Sequence, residues 1–416
     1  MNKKLLTIGT TILILAIATT TAVLLLFPYE PKHPPTVNST ASTPQGIQEV
    51  VDANNKFAFD LYSELAKSET GNLFYSPYSI SAALAMTYEG AKGETADEMI
   101  FVLHFPHALE ANFAAIYNDL NQPNDAYTLG TGNALWIQND YPLLADYTSE
   151  VAKYYGGKAV NLDFIRDTEN SRQTINSFIE EQTNNKIKDL IPKGFINQLT
   201  RLVLTNAIYF KGTWVWEFDK SNTHEQDFMV TPTTLVKTPM MYMDPSKAVF
   251  NYAGLEGLQI LELPYRGDKI SMLILLPTEN LDSIGPLTAE KLNEYKSQMK
   301  ETKMDSISIP KFEFDTKYSL KDALSALGMP AAFSTSADFS GMTGKKDLFI
   351  SFVIHQAFVK VDEEGTEAAA ATAVGMGLTA VMQRNVFMAD RPFIFIIQEK
   401  ETGNILFIGR VTDPSK

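Results

Sequence analysis

Between Leu258 and Pro277 the chain reads LQILELPYRGDKISMLILLP, two apolar runs separated by Arg266-Gly267-Asp268. Runs this continuously apolar fit strands covered on both faces, and the short polar turn between them makes a hairpin within a buried sheet. Such a sheet needs a large chain to cover it, and 416 residues with 45% hydrophobic content supply one. SISIPKFEFD, LFISFVIHQAFVKV, RPFIFIIQEK and NILFIGRV also read as strands by residue type. Helical patterns dominate the first half instead. In NLFYSPYSISAALAMTYEGAKGETADEM, Ser76 reads as an N-cap and Pro77 as the first helical residue. Ile80, Ala83 and Leu84 follow at helical spacing and Gly90 marks the stop, after which Thr95 and Glu98 pair as a capping box that opens the next helix. Ser79, polar near the start of a buried helix, is expected to be a cap or a satisfied hydroxyl. With helices leading and sheets following, the expected class is α+β.

Aspartate and glutamate total 49 against 35 lysine and arginine, a formal charge of -14, with no basic run beyond Lys3-Lys4. Nucleic acid is therefore not an expected partner. The absence of cysteine excludes disulfides, thiolate catalysis and cysteine-held zinc. Lys3-Lys4 precede an uncharged stretch from Leu5 to Phe27, long enough at ~1.5 Å per residue to cross a bilayer with the bulk of the chain outside. The bulky residues that end it in AVLLLFPYEP favour an uncleaved signal anchor over residues 1–27; a cleaved signal peptide is the alternative and would leave the protein secreted. Residues 28–46, PYEPKHPPTVNSTASTPQG, read as an extended, solvated tether carrying the sequon Asn38-Ser39-Thr40. From 47 to 416 one domain continues without a second linker or a fixed repeat. The expected location is extracellular or at the cell surface, with membrane contact only through the N-terminal segment.

EEGTEAAAATAVGMGLTAVM, from Glu363 to Met382, lies between two strand-like runs. Its alanines favour helix, yet it has no apolar stripe by which a helix would dock, so on propensity alone it is an exposed loop. Within it Gly375 to Ala380 formally match a GxGxxA dinucleotide fingerprint, but the run before it is Ala-rich rather than a buried strand. His104 and His107 sit close in HFPH, yet Pro106 spoils helical spacing and no HExxH or GxSxG motif is present. The chain is expected to be neither an enzyme nor the holder of a metal or cofactor.

NLFYSPYSISAALAM, LVLTNAIYFKGTWVWEF, LPYRGDKISMLILLP, IPKFEFDTKYSLKDALSALGM, VDEEGTEAAAAT and DRPFIFIIQEKETGNILFIGRV occur in this order, and each is similar to a signature of the serpins. The resemblance covers residues 47–416; one departure is Phe178, which stands where a tryptophan is common. It implies the serpin fold, with three β-sheets, eight or nine helices and an exposed reactive-centre loop. It also implies a monomeric suicide inhibitor that forms a covalent complex with a target serine protease. The protease attacks the loop and forms an ester; the cleaved loop then inserts into the central sheet and carries the distorted protease with it. The native form is accordingly metastable and held by kinetics.

The resemblance assigns the hinge of that loop to Glu363, Gly365, Thr366, Glu367, Ala368, Ala369, Ala370, Ala371 and Thr372. On insertion Thr366, Ala368, Ala370 and Thr372 would point one way and Glu367, Ala369 and Ala371 the other, so the single charge can stay at the solvent edge. Control of sheet opening is assigned to Ser76, Ser79, Asn206 and His355, with Trp214 where insertion begins; for His355 an ordinary buried, hydrogen-bonded histidine is the competing reading. Fourteen residues from Gly365 fall on Thr379 and place the reactive bond at Thr379–Ala380, whereas counting back from Arg391 allows Val381 or Met382. Apolar neighbours and the absence of Arg or Lys before Arg384 point to elastase-, subtilisin- or chymotrypsin-like targets. A cysteine protease target stays open, as does a non-inhibitory serpin serving as a binding or chaperone-like module.

Overall fold

The computed structural model describes residues 35–122, 124–244, 248–366 and 385–416. Nine α-helices occur among the described residues: α1 (Pro44–Leu65), α2 (Pro77–Tyr88), α3 (Gly93–Leu103), α4 (Glu110–Leu120), α5 (Ala145–Tyr155), α6 (Thr168–Gln182), α7 (Ala289–Ser297), α8 (Lys321–Leu327) and the short α9 (Ser340–Thr343). The strands form three sheets, as expected for a mixed α+β chain. One runs in the order β1 (Leu73–Tyr75), β17 (Ile405–Val411), β16 (Phe393–Glu399), β9 (Ile270–Pro277), β8 (Leu258–Pro264), β7 (Phe250–Leu255) and β10 (Lys300–Thr302). Its β8–β9 pair is the anticipated hairpin; Gly267 and Asp268 take positive φ at the turn, and the Tyr265 amide donates to Ile270 O at 3.0 Å. A four-stranded sheet runs β15 (Val386–Met388), β11 (Ser306–Pro310), β6 (Thr234–Met243) and β5 (His224–Thr231).

The third sheet runs β12 (Phe312–Ser319), β13 (Ile350–Val361), β4 (Leu202–Thr213), β2 (Tyr127–Gln138) and β3 (Lys158–Leu162), with β14 (Gly365–Thr366) paired to one end of β4. SISIPKFEFD is thus two strands in different sheets, parted at Lys311. Side chains alternate across β4: Leu204 and Ile208 enter the main core, while Val203 and Ala207 join a second cluster with Ile175 and Ile179 of α6. The sheet is therefore covered on both faces, by the main core and by α6. α2 lies on the core side, and every residue from Pro77 to Thr87 is buried, which suits a helix that is apolar all round. Phe178 fills its variant position by packing edge-on against Trp136 at 5.4 Å.

Two local expectations are corrected. Thr95 and Glu98 do not cap α3, which begins at Gly93 without a side-chain cap. Thr95 Oγ1 instead accepts the Asp338 amide and a Glu98 carboxylate oxygen accepts the Ala331 amide, so tertiary partners displaced the local ones. The tether reading also fails beyond Pro35. Val37 is buried, its amide and carbonyl are both bonded to the Asn118 side chain, and Thr43 caps α1 with Pro44 in its first turn. Composition suggested solvation, but proline at a helix start and asparagine partners on α4 fold residues 36–46 onto the domain. The anchor segment lies outside the described residues.

Candidate functional site

β13 and β4 lie side by side in parallel, pairing from Ile350↔Leu202 to Phe358↔Tyr209. β4 continues to Thr213, beyond the last of these pairs, and β14 occupies the space that opens there. After β13 the chain turns at Asp362–Gly365 and returns antiparallel to β4, with Gly365 opposite Thr213 and Thr366 opposite Gly212. Gly365 has φ of 152°, and a Cβ there would lie 2.0 Å from Gly212 O. A Cβ on Gly212 would in turn meet the rings of Phe210 and Tyr265 at 2.8 Å. Two glycines therefore permit the close backbone approach by which the loop enters the sheet.

Thr366 is 2% exposed, and its hydroxyl is 2.8 Å from the Tyr265 hydroxyl. Tyr265 stacks on Trp214 with ring centroids 4.4 Å apart, and burial raises its hydroxyl well above the ordinary tyrosine range. Trp214 fastens the turn itself: its indole donates to Asp362 O at 3.1 Å and its amide to Glu364 O at 2.8 Å. Glu363 and Glu364 are buried as charged residues with partners. Glu363 pairs with Lys311 at 2.8 Å and accepts the Thr223 hydroxyl at 2.7 Å, while Glu364 pairs with Lys220. Burial pushes the Glu363 carboxyl up, but the Lys311 and Thr223 hydrogen bonds outweigh it and hold the group below the usual carboxylate range. The hydrogen bond to Glu364, helped by its opposite charge, raises the Lys220 ammonium.

Midway along the β13–β4 pair, Ser76, Ser79, Asn206 and His355 meet with none of their surface exposed. His355 stands directly across from Asn206, and Asn206 directly across from Asn133 of β2, so the row spans three strands. The Ser76 amide donates to His355 Nε2 at 3.1 Å. That acceptor role puts the ring proton on Nδ1, which donates to Asn206 Oδ1. Asn206 Nδ2 donates to the Ser79 carbonyl and hydroxyl, each at 2.6 Å, and to Asn133 Oδ1. Ser76 Oγ accepts the Ser79 amide as the α2 cap and donates to Leu406 O. Burial drives the imidazole down from 6.5 to about 3, so His355 is neutral here.

Of the residues assigned to a hinge by resemblance, Glu363, Gly365 and Thr366 are thus brought together with Trp214, whereas Ser76, Ser79, Asn206 and His355 form a separate cluster further along the seam. Glu367, Ala368, Ala369, Ala370, Ala371, Thr372, Thr379 and Ala380 lie outside the described residues. Sequence reasoning missed Asn133, Gly212, Tyr265, Lys311, Lys220 and Thr223, all of which act through partners distant in the chain. Tyr265, beside the recognisable turn, was the one of these with a local landmark. Among the described residues no group of three or more His, Asp or Glu could hold a metal ion.

The sequence matches the family described as Serpin (serine protease inhibitor) over residues 52–414. It is 43% identical over 378 residues to an uncharacterized serpin-like protein of Methanosarcina mazei, covering 88% of each chain. It is 39% identical to the leukocyte elastase inhibitor of Bos taurus, covering 88% of this chain and 100% of the relative. The structure of uncleaved ovalbumin superposes with a TM-score of 0.79 at 31% identity over 88% of this chain and 100% of that one. Three sheets, a parallel seam mated to a returning loop, and these matches make the chain a member of the serpin family.

Proposed function

We propose that the protein is a suicide inhibitor of serine proteases that cleave after small or apolar residues. The observation that carries this is β14: Gly365 and Thr366 are seated in register on β4, so the strand that must grow during insertion has its first residues in place. Beyond them the loop is Ala- and Thr-rich, and Thr366, the first of the inward row, already fits a buried site. The relative named for inhibiting leukocyte elastase supports an elastase-like target, as does the apolar setting of Thr379.

In this mechanism a protease serine attacks the Thr379 carbonyl, the Thr379–Ala380 amide breaks, and Thr379 remains linked to the enzyme as an ester. The freed loop then zips down between β13 and β4, separating His355 from Asn206 as it passes. Ser76, Ser79, Asn206 and His355 govern the ease of that separation, and Trp214 with Glu363 holds the turn that feeds it. The N-terminal segment holds the domain at the outer face of a membrane.

Mixing the detergent-solubilised full chain with elastase-, subtilisin- and chymotrypsin-like proteases tests the reading. The expected result is a denaturant-resistant covalent complex and a released peptide beginning at Ala380. Complete cleavage with no complex would move the function to a binding role for the same fold.

A further inference from the structure

Residues 36–46 fold onto the domain, and Asn38-Ser39-Thr40, the only N-x-S/T triplet in the chain, lies within them. The backbone around it is pinned. Val37 is buried with its amide and carbonyl on Asn118, the Asn38 amide donates to Lys153 O at 2.7 Å, and the Thr43 amide donates to Asn112 Oδ1 at 2.9 Å. The three side chains of the triplet are placed differently. Ser39, at the position whose identity a sequon leaves open, is half-buried, and its hydroxyl accepts Asn118 Nδ2 at 3.2 Å. Asn38 and Thr40, the two residues a sequon requires, are both exposed.

The local turn fixes the acceptor's shape without using its reactive atom. The Thr40 amide donates to Asn38 Oδ1 at 3.0 Å, an Asx turn, and the Ser42 amide donates to Ser39 O at 2.9 Å. Only the oxygen of the Asn38 carboxamide is engaged. Among the described residues neither Asn38 Nδ2 nor Thr40 Oγ1 bonds a protein group. The Asx turn accounts for an asparagine at 38 and for a backbone amide at 40, but it gives the Thr40 hydroxyl nothing to do.

We propose that Asn38 is the acceptor of an N-linked oligosaccharide. This goes beyond the inhibitor reading and rests on the placement of the domain at the outer face of a membrane. The donor is a lipid-phosphate-linked oligosaccharide. Asn38 Nδ2 attacks the first sugar at C1, the N–C bond forms as the C1–O bond to the lipid phosphate breaks, Nδ2 gives up one proton, and the lipid phosphate leaves. Thr40 supplies the hydroxyl that a transferase reads beside the acceptor. Eleven residues lead from Phe27, the end of the uncharged stretch, to Asn38, so even fully extended they keep the acceptor within ~40 Å of the membrane that holds such a donor. Because Nδ2 is free of protein partners among the described residues, the folded domain takes the sugar without losing a contact, and the bulky, solvated chain stands at the junction of tether and domain.

The test is mass spectrometry of the full chain, isolated in detergent from the membranes of the organism that encodes it. Trypsin releases residues 33–56 as one peptide, since Lys32 and Lys56 bound a run without Lys or Arg. The expected result is that at least half of this peptide carries added sugar masses, which fragmentation localises to Asn38. Thr40→Ser should keep the modification. Thr40→Ala and Asn38→Asp both preserve the Asx turn, so each should leave the circular dichroism unchanged while lowering the modified fraction at least twentyfold. An unmodified peptide in the parent, or a modification that survives Asn38→Asp, would overturn the proposal. Adding protease to intact cells separates the causes of failure: a domain cut from outside with its peptide unmodified overturns the acceptor alone, whereas a domain that stays protected overturns the outer placement as well. Covalent trapping of a protease by the purified chain is read separately and should be the same in all three variants, so failure of the acceptor and failure of the inhibitor reading are told apart.

Discussion

Acidification should loosen the seam between β13 and β4, and His355 sets by how much. The ring is fully buried, accepts from the Ser76 amide and donates to Asn206, and burial lowers its pKa from 6.5 to about 3. Separating His355 from Asn206 returns the ring to water and to its ordinary value. Between about pH 3 and 6.5 the open form therefore binds one proton more than the closed form. Closure gains its full contribution above 6.5 and loses about 1.36 kcal/mol for each unit by which pH falls below it, a tenfold change per unit. From pH 6 to pH 4 the opening equilibrium should rise roughly a hundredfold. Hydrogen exchange at the β4 and β13 amides flanking the pair, corrected for intrinsic rates, reads this directly. His355→Gln retains an acceptor for Ser76 and a donor for Asn206 but does not titrate, and its corrected exchange should be flat across the same range. A corrected change below threefold in the parent, or an equal slope in His355→Gln, would refute the assignment of the pH response to this ring.

Glu89 should impose the opposite slope on global unfolding. Burial raises its carboxyl to about 7, above its ordinary 4.5, and although Tyr155 donates to it at 2.6 Å, the folded chain holds a proton there that the unfolded chain has lost. Stability should fall by about 1.36 kcal/mol per unit as pH rises from 4.5 to 7, seen as a falling denaturation midpoint that Glu89→Gln removes. Lys311→Met leaves Glu363, 3% exposed, with the Thr223 hydroxyl but no cation. It should cost about 1–3 kcal/mol, discounted for the half-open lysine, and lower the thermal midpoint, whereas an unchanged midpoint would show the pair to be idle. Thr366→Arg places a long cation against the buried Tyr265 and should convert the inhibitor to a substrate: rapid loop cleavage, with covalent complex reduced at least tenfold on a denaturing gel.

The elements that could be read from the chain were those whose cause is local. Ser76 and Pro77 open α2 because a hydroxyl and a pyrrolidine ring suit a helix start wherever they stand, and the β8–β9 hairpin follows from its own turn. Family resemblance placed Ser76, Ser79, Asn206, His355 and Trp214, but it did not show how they connect. Asn133 was invisible because a half-polar position on a long strand has many uses, and only the β2–β4 register puts it across from Asn206. Glu363 and Glu364 looked like exposed loop acids; Lys311 and Lys220, distant in sequence, make their burial tolerable. Thr95 and Glu98 failed for the same reason in reverse, since Asp338 and Ala331 claimed side chains that a local rule had spent.

The topology of the third sheet bears on why insertion would proceed once begun. β12 is antiparallel to β13 and β2 is antiparallel to β4, but β13 and β4 are parallel to each other. A parallel pairing is slightly the weaker kind per residue, and here it sits in the interior of the sheet. A strand that continues β14 runs antiparallel to β4 and hence also to β13, so on the proposed mechanism it replaces one parallel ladder with two antiparallel ones. Each residue entering breaks into a pairing that its own two ladders replace, at ~0.5–1.5 kcal/mol per net hydrogen bond. The contacts that resist lie at fixed stations: the Trp214–Tyr265 stack at the mouth, the His355–Asn206–Asn133 row midway, and Phe195 on Phe352 at the far end. With the gain distributed along the strand and the resistance concentrated at three places, substitutions at those places should change rates of opening and trapping far more than they change the stability of the fully inserted form.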